Sequence, residues 1–505
     1  MKVLLVYPEC PDSFWSFKYA LDFIDKKSVY PPLGLLTIGA LLPEEWEKKL
    51  VDLNINKLRD KDIEWADYVL ISAMIIQRES VKEIVGRCKK LGVKTIAGGP
   101  LFTMETNEFL DVDHLVLGEA EITFPEFLRE FEKGTPEHIY KSDEKPDLDI
   151  VPVPAWDLVN IHDYVSMNLQ YSRGCPYDCE FCDITTLFGR RQRLKSVDSM
   201  IAELDALYDR GWKGSVFIVD DNFIGNKTKL KKEVLPAIIE WMEAHHYPFW
   251  FNTEASINLA DDEELMELMR EAGFVHVFVG IETPDVESLK ECNKFTNVNR
   301  NLIDSVKKIQ NYGMQVSGGF IVGFDNDTPS IFERQIKFIQ KSGIVTAMVG
   351  LLNAPRGTRL YERMKKENRL LPQNFTGNNT DFTLNFKPKM NLDMLVHGYN
   401  KIVTTIYDPA RYYERILEFF KEFKPLRRSR AGLFRFSYLT ALIKATYYLG
   451  ILEKGRSHYW GMLLKTITKH PRFLPDAFTF AIYGFHFRKV FEKYRPRLFT
   501  AINEQ

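Results

Sequence analysis

Three cysteines fall close together in Tyr171-Ser172-Arg173-Gly174-Cys175-Pro176-Tyr177-Asp178-Cys179-Glu180-Phe181-Cys182, a C-x3-C-x2-C pattern. Thiolates are soft ligands that select zinc or iron–sulfur. A four-iron cluster normally takes four cysteines, and the remaining three here, Cys10, Cys88 and Cys292, are scattered. Three ligands on one loop would leave one iron open to another molecule. A catalytic metal site needs such an open position and a structural one avoids it. The plainer alternatives are zinc completed by a distant ligand and three free buried thiols. The lack of a nearby His speaks against zinc.

The elements that must hold this loop follow from periodicity. Over the first ~140 residues, buried apolar runs alternate with amphipathic ones. Strands are expected at Val3–Tyr7, Lys49–Leu53, Tyr68–Ala73, Lys94–Ala97 and His114–Leu117, with helices at Leu33–Leu42, Ser80–Leu91 and Phe124–Glu132. That alternation predicts an α/β fold with a doubly wound, Rossmann-like parallel sheet over 1–140, whose ligand sits at the carboxyl ends of the strands. Those ends carry Tyr7 and Glu9, Ser72 and Ala73, Gly98, Gly99 and Pro100, and Gly118 and Glu119. Small residues there would admit a large flat ligand to the backbone; they would equally serve ordinary tight turns. A linker with Pro146, Pro152 and Pro154 spans 141–160.

Over 161–358 the alternation resumes with longer helices. Strands are expected at Ser166–Ser172, Ser215–Val219, Trp250–Thr253, Val275–Ile281, Val316–Val322 and Met348–Leu352, and helices at Val197–Tyr208, Lys229–Ala244, Asp262–Glu271, Asn301–Tyr312 and Ser330–Lys341. Six βα units predict a barrel or partial (β/α)6 barrel, with its working face at the strands' carboxyl ends. The cysteine loop follows the first of them. From 359 to 505 the chain is expected to be mainly helical.

The pattern C-x3-C-x2-C, with Phe181 before its last Cys, resembles the radical S-adenosylmethionine (radical SAM) superfamily. The preceding α/β domain is similar to the cobalamin-binding domain of that superfamily's cobalamin-dependent branch. The resemblance implies a [4Fe–4S] cluster on Cys175, Cys179 and Cys182. S-adenosylmethionine would chelate the fourth iron and yield a 5′-deoxyadenosyl radical. Phe181, Asp220, Asp221, Asn222, Glu254, Glu282, Ile321 and Asn353 are then expected around S-adenosylmethionine. A zwitterionic ligand needs acceptors for its amine and donors for its carboxylate. An Asx-turn or a helix cap is the plainer explanation for each carboxylate alone. Cobalamin is expected at Tyr7, Glu9, Ser72, Ala73, Gly98, Gly99, Pro100, Gly118 and Glu119. Many cobalamin domains carry Asp-x-His-x-x-Gly, whose His ligates cobalt. The corresponding Val51-Asp52-Leu53-Asn54-Ile55-Asn56 has no His, so cobalamin is expected without a histidine ligand.

Cobalamin beside such a radical implies methyl transfer to an unreactive carbon, and hydrogen abstraction there needs no general base, so no catalytic acid or base is named. Tyr7-Pro8-Glu9, Phe14-Trp15-Ser16-Phe17, Pro31-Pro32-Leu33-Gly34, Asn222-Phe223-Ile224-Gly225 and Glu291-Cys292-Asn293-Lys294 resemble the group containing the hopanoid methylases. The implied substrate is a hopanoid or other polyisoprenoid lipid. The alternative is a cobalamin-binding radical SAM cyclase or oxidative ring-forming enzyme acting on a lipid or tetrapyrrole. Such enzymes take electrons from a donor such as ferredoxin or flavodoxin.

Composition bounds the rest. The 505 residues are 45% hydrophobic and 27% charged with net charge -2, which excludes a disordered, collagen-like or strongly charged chain. Six cysteines are too few for a disulfide scaffold. No signal sequence is visible, and the most apolar stretch, 432–452, contains Arg435 and Lys444. A cytoplasmic protein is expected. Residues 424–505 differ from the rest, with 16 Lys+Arg against 4 Asp+Glu and 16 aromatic residues. Such a tail suits an anionic lipid surface, with Phe434, Phe436, Tyr438, Tyr447, Tyr448 and Trp460 as anchors. A helical cap with a solvated basic face is the plainer alternative. Nucleic acid is not expected as a partner.

Overall fold

The computed structural model describes residues 1–372, 375–425 and 436–495. The first sheet holds β1 (Lys2–Tyr7), β2 (Glu47–Asp52), β3 (Tyr68–Ser72), β4 (Lys94–Gly98), β5 (His114–Val116) and β6 (Ile139–Tyr140). All pair in parallel, in the order β2-β1-β3-β4-β5-β6. Val3, Leu4, Leu5 and Val6 are all buried, because helices cover both faces of a parallel sheet and leave no polar side. The order reverses between β1 and β3, which opens a crevice at their carboxyl ends. β6 is not among the expected strands; two residues carry no periodicity.

The second sheet begins with β7 (Ser166–Leu169). An antiparallel ribbon follows, β8 (Ser172–Arg173) with β9 (Arg193–Leu194). Then come β10 (Gly214–Ile218), β11 (Phe249–Glu254), β12 (Phe274–Glu282), β13 (Gln315–Val322) and β14 (Ala347–Leu351). The order β14-β13-β12-β11-β10-β7 is sequential and parallel throughout, a six-stranded partial barrel. Alternation sets its two faces. Phe249, Phe251 and Thr253 are buried beneath the helices, while Trp250, Asn252 and Glu254 occupy the half-buried inner face.

Local signals bound the barrel helices. Ser196 and Asp262 accept from the backbone N–H of Ser199 and Leu265 at 3.2 and 3.1 Å, and Gly273 ends its helix at φ 100°. The helix expected at Lys229–Ala244 is interrupted by a π turn over Leu230–Val234. Pro236, which has no N–H to donate, stands in the next turn.

The helices Leu392–Ile406, Pro409–Glu422, Phe436–Tyr447, Arg456–Lys469 and Leu474–Tyr494 follow the barrel. They share one hydrophobic core with it. The last of them also covers the segment after β1: Phe487 stacks on Phe14 at 4.2 Å, and the Tyr494 hydroxyl donates to the Asp12 carbonyl at 2.6 Å. No helix among the described residues is long and apolar enough to cross a membrane.

Candidate active site

The cysteine loop is tied on three sides. Asp220, at the end of β10, accepts from the Tyr171 N–H at 2.8 Å and the Ser172 hydroxyl at 2.5 Å. Gly174 sits at φ 89°, and a Cβ there would lie 2.8 Å from the Arg191 carbonyl, so this turn requires glycine. The Glu180 N–H donates to the Cys292 carbonyl at 3.0 Å, and its carboxylate takes two hydrogen bonds from Arg363 at 2.8 and 2.9 Å. The three cysteines are half-buried and free. Burial raises the pKa of each thiol, and the charges of Cys175 and Cys179 raise that of Cys182 further.

The acidic residues predicted around S-adenosylmethionine divide into two groups. Asp220 is buried and committed to the loop backbone, which makes it a positioning residue. Burial still lifts its pKa to about 6. Asn353 is committed too: its amide donates to the Leu351 and Thr383 carbonyls and accepts from the Asn385 N–H at 3.1 Å. Asn222 accepts from the Ser256 N–H at 3.1 Å, but its Nδ2 is buried without a partner. Asp221 is pushed up to about 7 by burial and then by Asp220 and Asp183. Glu254, on the inner face, is pushed up to about 8 by burial and then by Asp221. Glu282, at φ 63°, pairs with Lys294 at 2.9 Å. Phe181 and Ile321 both pack against one small core cluster, with the Phe181 ring 6.4 Å from Phe324.

Between the first domain and the barrel a cavity of about 310 Å³ opens at the carboxyl ends of β3, β4 and β5, with Gln170, Arg173, Phe188 and Val219 on its barrel side. Ser72, Gly98, Gly99, Pro100, Gly118 and Glu119 line it. Gly99 sits at φ 93°, where a Cβ would lie 2.9 Å from the Ser72 hydroxyl. Ala73 is buried behind this wall. Tyr7 and Glu9 lie outside the cavity: Tyr7 is half-buried beside Cys10, Asp52 and Gln77, and the Glu9 N–H donates to Ser80 at 2.9 Å. Glu119 accepts from Arg173 and Arg193 at 2.9 and 2.8 Å, so its charge ties the two domains together. The stretch without His is also committed. Asp52 accepts from Asn54 at 2.8 Å and from the Tyr164 hydroxyl at 3.1 Å.

Known families match each part. The radical SAM superfamily matches residues 169–339, a B12-binding domain matches 23–128, and a domain of unknown function, DUF4070, matches 358–498. An uncharacterised methyltransferase of Synechocystis sp. is 39% identical over 508 residues, spanning 100% of this chain and 94% of its own length. The hopanoid C-2 methylase of Rhodopseudomonas palustris is 33% identical, spanning 93% of this chain and 90% of its own. The chain belongs to the cobalamin-dependent radical SAM methyltransferases.

Solved structures agree in fold. TsrM from Kitasatospora setae, with cobalamin and a [4Fe–4S] cluster bound, aligns at TM-score 0.59 and 15% identity over 91% of this chain and 98% of its own. OxsB with aqua-cobalamin bound aligns at TM-score 0.59 and 14% identity over 100% of this chain and 81% of its own. The methyltransferase thus takes a [4Fe–4S] cluster, S-adenosylmethionine and cobalamin. Its residues fit these groups. Cys175, Cys179 and Cys182 are free, half-buried thiols on one loop, a donor set that suits a cubane, which spreads its thiolates over separate irons. The cavity is of the size that holds a drug-sized molecule, and Gly98, Gly99 and Gly118 in its wall present backbone where side chains would otherwise stand.

Two features of this methyltransferase escape a reading of its sequence. Lys294 is half-buried beside Glu282, Cys179 and Cys182. Burial alone would lower its pKa, but these neighbours outweigh burial and leave it raised. Gly280 makes the pair possible, since a Cβ there would collide with the Glu282 carboxylate. The sequence offers Lys294 within Glu291–Lys294 but gives no sign of what it faces. Arg173 bonds Glu119 and Glu121 of the first domain at 2.9 and 2.7 Å, immediately before the cysteine loop.

Proposed function

We propose that this methyltransferase methylates an unactivated carbon of a hopanoid or another polyisoprenoid lipid. The observation that carries this reading is the aromatic lining of the barrel mouth. Phe217 and Phe278 project from the inner face. Tyr30 stands 5.3 Å from Phe217 and Trp15 stands 5.3 Å from Phe278. Phe17 joins Tyr483 of the last helix at 4.9 Å. Rings of this kind offer a polycyclic hydrocarbon a large apolar surface with few polar groups to desolvate. The 33% identical hopanoid C-2 methylase supports the same substrate class.

When bound, the cluster with S-adenosylmethionine supplies a hydrogen-abstracting radical, and cobalamin supplies the methyl group. The chain's own residues hold and orient. Cys175, Cys179 and Cys182 ligate the cluster. Asp221, Asn222, Glu254 and Glu282 would hold the polar groups of S-adenosylmethionine, and Phe181 and Ile321 would offer its base an apolar surface. Asp220 and Asn353 act by fixing the loops. Ser72, Gly98, Gly99, Pro100 and Gly118 bind cobalamin in the cavity, with Ala73 behind them and Glu119 bridging to the barrel. Tyr7 and Glu9, outside the cavity, would meet only a part of cobalamin that reached beyond it. The aromatic cap excludes water from the radical. A ferredoxin- or flavodoxin-type donor delivers the electron.

The test is anaerobic turnover of the reconstituted enzyme with hopanoids in detergent, read by product mass. A gain of one methyl group together with 5′-deoxyadenosine is expected. Loss of hydrogens would mean ring formation. A methyl found only on a tetrapyrrole would overturn the lipid assignment.

A further inference from the structure

The two helices before the last one leave an apolar face uncovered. Ile443, Tyr447 and Ile451 recur at helical spacing along Phe436–Tyr447 and the π turn Tyr448–Leu452, and are 60%, 50% and 56% exposed. Trp460, Leu464 and Ile467 repeat the pattern on Arg456–Lys469, with Leu464 64% exposed. The two stripes adjoin. The Trp460 indole N–H donates to the Gly450 carbonyl at 2.9 Å, and its ring lies where a side chain at Gly450 would be. Large apolar side chains grouped in this way mark an interaction surface.

Charge selects the partner. Exposed Lys444, Lys454, Arg456, Lys465, Lys469 and Arg472 surround the face. The sole acid from 436 to 473 is Glu453, 3.9 Å from Arg488. A second copy docking through the same face would set like charges against each other. An anionic bilayer accepts both the apolar residues and the cations. A helix pair too short and too charged to cross a membrane can lie within its interface. Of the anchors expected from sequence, Tyr447, Tyr448 and Trp460 are exposed as that role requires. Phe434 and the side chains of Phe436 and Tyr438 lie outside the described residues.

We propose that residues 439–472 dock this enzyme on the surface of an anionic lipid bilayer. The face also leads to the barrel mouth. The Lys444 ammonium donates to the Asp22 carbonyl at 2.9 Å and Tyr448 packs on Phe23 at 5.8 Å. The segment carrying Asp22 and Phe23 also carries Trp15, Phe17 and Tyr30 of the cap. A docked enzyme would therefore present its aromatic mouth beside the membrane. The purpose of docking rests on the proposed lipid substrate; its geometry does not.

The test is co-sedimentation of the full-length, cofactor-loaded enzyme with phosphatidylcholine vesicles, with and without phosphatidylglycerol. Binding only to the phosphatidylglycerol vesicles, weakened by salt, is expected. At ~1 kcal/mol per basic residue near the surface, Lys465→Glu/Lys469→Glu lowers the partition coefficient at least about tenfold. Leu464→Ser/Ile467→Ser lowers it comparably, and both variants keep the vesicle-free yield of 5′-deoxyadenosine. The proposal is overturned if the wild type ignores anionic vesicles or binds neutral ones equally, or if the variants bind as the wild type does. A concentration-dependent dimer lost on Leu464→Ser/Ile467→Ser, without vesicle binding, overturns it in favour of a second copy. Because no methylated product is read, failure here leaves lipid methylation standing, and a non-lipid product leaves vesicle binding standing.

Discussion

Removing the Lys294 ammonium tests whether the charge balance beside the cysteine loop has been read correctly. Lys294 and Glu282 lie 2.9 Å apart with side chains 15% and 8% exposed. At an effective dielectric constant of ~20, that separation gives an attraction of about 6 kcal/mol before desolvation. Desolvating both groups cancels much of it, so the intact pair contributes little net stability. Breaking it is another matter, because one charge is left buried and unpaired, at a cost of about 3–5 kcal/mol. Lys294→Met should therefore destabilise the apoprotein by about that much in urea titrations of the matched pair. Adding Glu282→Gln should return much of the loss, because no charge is then stranded. The coupling energy should be at least ~2 kcal/mol and favourable. Additive effects would refute the pairing. A second reading comes from the thiols, since the Lys294 charge favours the ionised forms of Cys175 and Cys179. In the apoprotein, alkylation of these cysteines should be slower in Lys294→Met at any given pH. Unchanged rates would show that the ammonium does not act on the loop.

Other substitutions probe the remaining parts. Cys175→Ala, Cys179→Ala and Cys182→Ala should each lower the iron and sulfide content after reconstitution and abolish 5′-deoxyadenosine; normal content in any of them would remove that residue from the ligand set. Gly34→Leu extends a side chain into the cavity from a position whose Cβ meets only the Ser72 hydroxyl, at 3.7 Å. Cobalamin affinity should fall at least about tenfold by equilibrium dialysis while iron content stays unchanged. Glu254→Gln removes a carboxyl raised from 4.5 to about 8. The folded chain holds that extra proton between these values, so wild-type stability declines as pH rises through the window and levels off above about 8. The variant should gain relative to wild type across that range, and a pH-independent difference would refute the assignment.

The fold was largely legible because both sheets are parallel and buried. Val3–Val6 is an unbroken apolar run buried on both faces, and amphipathic helices such as Arg78–Leu91, Glu263–Ala272 and Ser330–Ser342 separate later strands. The cysteine loop was legible because its chemistry is local in sequence. The division of labour among the acids was not. Asp220 and Asp221 are adjacent in the chain, yet one is tied to the Tyr171 N–H and the Ser172 hydroxyl while the other is raised to about 7 by burial and then by Asp220 and Asp183. Glu119 stands at a strand end as a ligand-binding residue would, but two arginines from the other domain claim it. Lys294 and Glu282 meet because β12 ends in a left-handed residue, which no periodicity signals. Contacts between distant segments decide each of these cases.

The C-terminal region must be probed by point substitution and not by truncation. A basic, aromatic tail suggests a removable appendage. Yet Phe473, Phe480, Phe487, Phe491 and Tyr494 are all buried, in the core that the barrel itself uses. At ~1.5–3 kcal/mol for each fully buried large apolar side chain, five of them sum to on the order of 10 kcal/mol. That is comparable to the whole stability of a typical domain. The partners left behind, Phe14, Tyr407 and Tyr412, would be exposed as well. Deleting residues 473–505 should therefore yield a chain that aggregates or is rapidly proteolysed. Leu464→Ser/Ile467→Ser, on the exposed face of the preceding helix, should leave the melting temperature within about 2 °C of wild type. A soluble, protease-resistant truncation that still loads its cluster would show that the last helix is not part of the barrel's core.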